Sequence, residues 1–167
     1  ERGVRRVPGS GTLHSWHLDV AAKDLSLLLR SRHPLIACET IEEQRFEALV
    51  RAVSSELTIP FWSWSAASGL SPAHPEDADK SAELAFALRL IRRTTGEGTW
   101  LLKDPLPHLE APATLRLLRE TAQEFAGSSR TIVLVGPSMP TKPELEDVQV
   151  RFEFALPELG RGGTQRY

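Results

Sequence analysis

Apolar residues recur along this chain at two spacings, one helical and one extended. Phe46, Leu49, Val50, Val53 and Leu57 fall at i, i+3, i+4, i+7 and i+11, the stripe of a helix that buries one face. Leu84, Leu88 and Ile91 define a second such stripe, and Leu115, Leu118, Ala122 and Phe125 a third, which Gly127 is placed to stop. Ahead of them Leu25, Leu28 and Leu29 mark another helix, with Asp19 positioned as its cap and Pro34 ending it after His33. Between the helices lie short runs without polar alternation: Leu35-Ile36-Ala37-Cys38, Trp100-Leu101-Leu102 and Thr131-Ile132-Val133-Leu134-Val135. Runs of this length read as strands covered on both faces. Phe61-Trp62-Ser63-Trp64-Ser65 alternates in part. Val148, Val150, Phe152, Phe154 and Leu156 alternate strictly with Gln149, Arg151, Glu153 and Ala155, as a half-exposed edge strand would. The stretch 69–79, with Pro72 and Pro75, reads as a loop.

Helices and strands therefore take turns, and the chain closes on two successive strands. That order predicts an α/β fold of three layers, a mostly parallel five-stranded sheet with helices on both faces and right-handed crossovers. Residues 13–158 form the single domain. Residues 1–12, rich in arginine, proline and glycine, read as a flexible arm, and 159–167 as a flexible tail or linker. Chain ends of this kind suit one module of a longer protein.

Composition narrows the function classes. With 20 Lys and Arg against 22 Asp and Glu the net charge is −2, which offers no broad positive field and argues against nucleic acid as a bulk partner. Cys38 is the sole cysteine, so an intramolecular disulfide framework and Cys-pair zinc sites are excluded and a reducing, cytoplasmic location is the expectation. No apolar run approaches the roughly 20 residues of a membrane-spanning helix, and no membrane partner is expected. His14 and His17 supply two imidazoles without a third ligand nearby, and no Gly-x-Ser-x-Gly nucleophile motif occurs. Neither a metal centre nor a catalytic nucleophile is predicted.

In an α/β sheet the loop after the first strand is where phosphate binding is sought, because free helix N–H groups converge there. Here it reads Glu39-Thr40-Ile41-Glu42-Glu43-Gln44. It lacks the glycines that let backbone approach phosphate and the Lys beside Ser or Thr that supplies charge and a magnesium ligand, so there is no Walker A loop. Thr40 and Glu43 have the spacing of a capping box. Three glutamates also oppose an incoming triphosphate: one like-charge contact near 4 Å costs about 4 kcal/mol at an effective dielectric near 20, against roughly 0.3–1 kcal/mol from the helix dipole. Asp104 ends the third strand where a magnesium acid would stand, but Lys103 and Pro105 flank it and leave no adjacent carboxylate to orient water.

The block Arg32-His33-Pro34-Leu35-Ile36-Ala37-Cys38-Glu39-Thr40-Ile41-Glu42-Glu43 resembles the start of the N-terminal half of the AAA ATPases first noted as conserved open reading frames of plastids and cyanobacteria. Trp100-Leu101-Leu102-Lys103-Asp104 through His108-Leu109, and Thr131 to Val135 continuing to Pro143-Glu144-Leu145 and Phe154-Ala155-Leu156-Pro157, are similar as well. The resemblance spans about 19–157. It implies a degenerate P-loop NTPase-like domain whose strands, numbered along the chain, lie in the order 5-1-4-3-2. It further implies an active AAA module elsewhere in the polypeptide, which would be the partner and would carry ATP and magnesium. No catalytic residue transfers.

The expectation is a non-catalytic regulatory or assembly module acting by protein–protein contact. Trp62, Trp64, Arg92 and Arg93 are its interaction candidates, since two tryptophans on one face of a short strand are costly to bury together. Pairing between copies through the edge strands stays open. Two alternatives stand beside it: an ATP-binding or hydrolysing domain in which Asp104 holds magnesium, and a nucleic-acid adaptor using the N-terminal arginines with Arg92 and Arg93.

Overall fold

The computed structural model describes residues 11–155, with side chains for residues 17–155. The proposed arm falls outside this range except for residues 11 and 12, and the proposed tail lies outside it altogether. Helix α1 runs Gly11–Arg30 and is followed by β1 (Leu35–Glu39), α2 (Glu43–Glu56), β2 (Phe61–Ser65) and β3 (Gly69–Ser71). A single turn, α3 (Pro75–Ala78), precedes α4 (Leu84–Arg93), β4 (Gly98–Lys103), α5 (Pro112–Phe125), β5 (Arg130–Gly136) and β6 (Gln149–Phe152).

Asp19 lies inside α1 rather than at its cap, because the helix already extends from Gly11. At the other end α1 stops before Pro34, with Arg32 in the left-handed region at φ 59°. The Gly127 that follows α5 has φ +76°, a conformation that suits a residue without Cβ and confirms it as the stop.

The sheet has six strands in the order β3-β2-β4-β5-β1-β6. All neighbours are parallel except β2 and β3, which pair antiparallel with Trp64 opposite Leu70. Omitting β3, this is the 5-1-4-3-2 order, and the fold is a P-loop NTPase-like α/β sandwich. The correction is the sixth strand. Within the segment read as a loop, Gly69–Ser71 folds back on β2 through a turn in which the Ser68 N–H donates to Ser65 Oγ. As a result β3, not β2, forms that edge.

Two apolar layers sandwich the sheet. On one face Leu35, Trp100, Leu102, Ile132 and Leu134 pack against α4 and α5. On the other Ile36, Leu101, Val133 and Val135 pack against α1 and α2 through Leu25, Leu29, Phe46 and Val50. Alternate residues of the same strand feed opposite layers, which is why the central strands show no polar alternation.

Ser81 ties the β3 edge down. Its hydroxyl accepts the Leu70 N–H at 2.8 Å and donates to the Ala78 carbonyl at 2.7 Å, and its own carbonyl receives the Trp64 indole N–H at 2.6 Å. Gly69, at φ +68°, passes so close that an added Cβ would lie 2.5 Å from Ser81 Oγ.

Replacing Ser81 with alanine strands two backbone groups, one of them buried, and is expected to lower stability by about 1–3 kcal/mol. An unchanged urea midpoint would contradict this. Cys38 is fully buried, and burial, with a smaller contribution from Glu153, pushes its thiol up to about 12 from 9.0. A native pKa above the unfolded one means this group favours the fold below about pH 9, and the contribution is lost as pH rises toward 12. Thiol reagents at pH 8 should therefore modify Cys38 only as fast as the protein unfolds; rapid labelling of the native chain would refute its burial.

Candidate functional site

The carboxyl ends of the strands are held by a small set of polar contacts. From Glu39 the chain turns through Thr40, Ile41 and Glu42 into α2, and the Thr40 N–H still follows the sheet, donating to the Gly136 carbonyl at 2.9 Å. Thr40 Oγ1 accepts the Glu42 N–H at 3.0 Å. The expected capping box does not form, because α2 begins at Glu43 with Glu42 as its N-cap and no side-chain cap bond. Thr40 is thus two residues too early. Its hydroxyl closes the turn before the helix, and Glu43 serves as an acid in the first turn, complementing the helix dipole.

The strand-end carboxylate has a specific partner. Glu39 Oε1 accepts the backbone N–H of Met139 at 2.8 Å, joining the end of β1 to the loop after β5. Arg151 reinforces that loop from β6 by donating to the Met139 carbonyl. Glu42 lies 3.8 Å from Arg45, while Glu47 forms an ion pair with Lys103. In the turn between β1 and α2, Ile41 is 81% exposed.

Asp104 ends β4 as a turn residue at φ 49°, its N–H donating to the Val135 carbonyl. Its side chain is exposed and passes near Gly136, where an added Cβ would be 3.6 Å from Oδ1. Among the described residues no three His, Cys, Asp or Glu side chains gather as a metal would require.

A groove of about 680 Å³ opens elsewhere, beside the amino-terminal halves of β2 and β4. Trp62, Trp100, Leu70 and Leu90 contribute its apolar lining, with Pro72 and Arg93 at its rim. The rings of Trp62 and Trp100 stack with centroids 4.9 Å apart and planes 11° from parallel. Trp64 is on the same face of β2 but is fully buried, edge-on to His108. Their surroundings separate the two: Trp64 has Leu70 of β3 beside it, gives its indole N–H to the Ser81 carbonyl and meets the His108 ring, whereas Trp62 lies before the first β3 partner and stacks on Trp100.

The two arginines also part. Arg92 bridges α4 and α5 through Glu124 at 2.5 Å and Glu120 at 3.8 Å, while Arg93 is exposed at the groove and has no ion pair among the described residues. The structure therefore brings Trp62 and Arg93 together and places Trp64 and Arg92 elsewhere. Leu70 and Pro72 come from the segment read as a loop; their only sequence signal is the short Gly69-Leu70-Ser71 run before the proline. Arg2, Arg5 and Arg6, invoked for nucleic acid, lie outside the described residues.

Comparison with known proteins agrees with the resemblance noted from the sequence. Residues 21–154 match the family model for the N-terminal domain of SpoVK-like AAA ATPases. The AAA domain-containing protein ycf46 of Trieres chinensis is 30% identical over 137 residues, 80% of this chain, and its counterpart in Guillardia theta is 30% identical over 139 residues, 81% of this chain. The chain spans 28% of the length of each relative. A chain in the structure of Drosophila ORC bound to AT-rich DNA and Cdc6 aligns over 90% of this chain and 62% of its own length, at 10% identity and a TM-score of 0.47. With its sheet order in place and all but the margins of the described fold inside one family model, the chain belongs to the SpoVK-like AAA ATPase N-terminal domain family.

Proposed function

We propose that this domain is a non-catalytic regulatory and assembly module of an AAA-family ATPase and works by protein–protein contact. ATP and magnesium would belong to the AAA module of the same polypeptide, its partner, in the cytoplasm. One observation carries the reading. Glu39, at the end of the first strand, takes the Met139 N–H for itself, so a backbone donor at the strand ends faces a carboxylate of the protein's own.

A triphosphate does not fit this donor set. The crossover contains no glycine and no lysine, and its one hydroxyl, on Thr40, is engaged by the Glu42 N–H. Lys103, the nearest cation in sequence to Asp104, is neutralised by Glu47. A phosphate arriving there would meet Glu39, Glu42 and Glu43 before any free donor with compensating charge. Contact chemistry is better supplied, by a half-buried tryptophan and an arginine without an ion pair among the described residues at one groove; aromatic residues and arginine are the types that anchor interfaces.

Calorimetric titration of the chain with Mg-ATP is expected to show no saturable heat up to about 1 mM nucleotide. Micromolar binding that disappears in Asp104→Ala would overturn the proposal in favour of an ATP site.

A further inference from the structure

The two edges of the sheet are finished differently. At one, β3 is three residues long and runs into Pro72, which lacks a backbone donor; short strands and prolines are the devices that stop edge-to-edge pairing. At the other, β6 pairs with β1 on its inner side and with nothing on its outer side among the described residues. It carries no proline and no lysine. Its apolar face is already seated, with Phe152 and Phe154 packed on Phe46 at ring separations of 5.9 and 5.4 Å.

The direction of its backbone groups can be worked out. The Thr40 N–H points to β5, so alternate residues of β1, Glu39 and Ala37, turn their backbone groups toward β6. In the register that sets Ala37 opposite Arg151, the β6 residues receiving those bonds are Val150 and Phe152. Gln149, Arg151 and Glu153 therefore present their N–H and C=O groups outward, and the side chains of Arg151 and Glu153 are exposed.

Charge then selects the partner and the register. In an antiparallel pair of identical strands related by a two-fold axis, placing the axis at Arg151 sets arginine against arginine, and placing it at Glu153 sets glutamate against glutamate. An axis at Phe152 sets each Arg151 opposite Glu153 of the other copy, and the residues facing across the junction are the ones whose backbone groups are free. We propose that two copies of this chain pair antiparallel along β6 in this register, making one sheet continuous through both. Arg151 retains donors for this contact beyond the Nη1 it gives to Met139 and Thr141. The proposal rests on the assembly reading above and commits it to one occupant, a second copy.

Sedimentation velocity on the 167-residue chain is the test, with hydrogen exchange on the same samples. A concentration-dependent dimer is expected, in which the Arg151 and Glu153 amides are protected and lose that protection on dilution. Glu153→Arg should raise the dimer dissociation constant about tenfold or more, since it turns two favourable cross-strand pairs into like-charge contacts, and adding Arg151→Glu to it should restore the pair. Glu153→Gln should fall between. A chain that stays monomeric to about 1 mM overturns the pairing, as does a folded Glu153→Arg variant that dimerises unchanged. If the double variant does not fold, because Arg151 also anchors Met139, exchange at the two wild-type amides decides alone. Mg-ATP binding would refute the non-catalytic reading without touching this one, so the two failures are distinguishable.

Discussion

A parallel sheet covered on both faces leaves its strands almost nowhere to put a charge except at their ends. In β1 the first four residues are buried and Glu39 is exposed; in β4 five are buried before Lys103; in β5 only Arg130 at the start is not buried. The two layers of apolar side chains thus push the polar chemistry of the domain to the rims of the sheet. What sits on each rim determines what the domain can do. At the carboxyl rim the charges are mainly acidic and are used internally: Glu39 by the Met139 amide, Glu47 by Lys103 and Glu42 by Arg45.

The same constraint weakens toward the edges. Beyond β4 the sheet continues only as β2 and the three-residue β3, and beside them a groove opens at Trp62, Leu70 and Trp100. Trp64 is sealed there by the bonds around Ser81, whereas Trp62 rests on Trp100 with one side toward the groove. Two tryptophans two residues apart on one strand face have different fates because Ser81 and His108 close over Trp64 and neither is a partner of Trp62. At the opposite edge cover is one-sided in another sense. β6 is tied inward through Phe152 and Phe154 while its outer backbone groups meet no strand of the described chain. Among the described residues, the sheet is therefore left partly uncovered at the Trp62 groove and unpaired along the outer side of β6.

Much of this was legible in the sequence. Unbroken apolar runs marked β1, β4 and β5 because burial on both faces forbids polar alternation, and the strict alternation after Val148 marked an edge because only one face there is buried. The alternating pattern ran further than β6 itself: the ladder ends at Phe152, although Phe154 is still buried. β3 was hidden because three residues are too few to display a period, and Asp19 misled because a good capping residue also occurs within helices. Thr40 and Glu43 have capping-box spacing, yet the helix starts two residues later than that spacing assumes, and spacing alone carries no information about where the first helical hydrogen bond closes.

The sequence by itself determined the longer helices and every strand but β3, which faces they bury, and that the first crossover has neither the glycines nor the lysine of a phosphate loop, because these properties reside in residues close together along the chain. Only the tertiary structure decided which tryptophan is buried, which arginine is unpaired and which amide Glu39 occupies. Those outcomes depend on residues far apart in sequence, 17 positions for Trp64 and Ser81 and 100 for Glu39 and Met139, and no local period encodes a meeting of that kind.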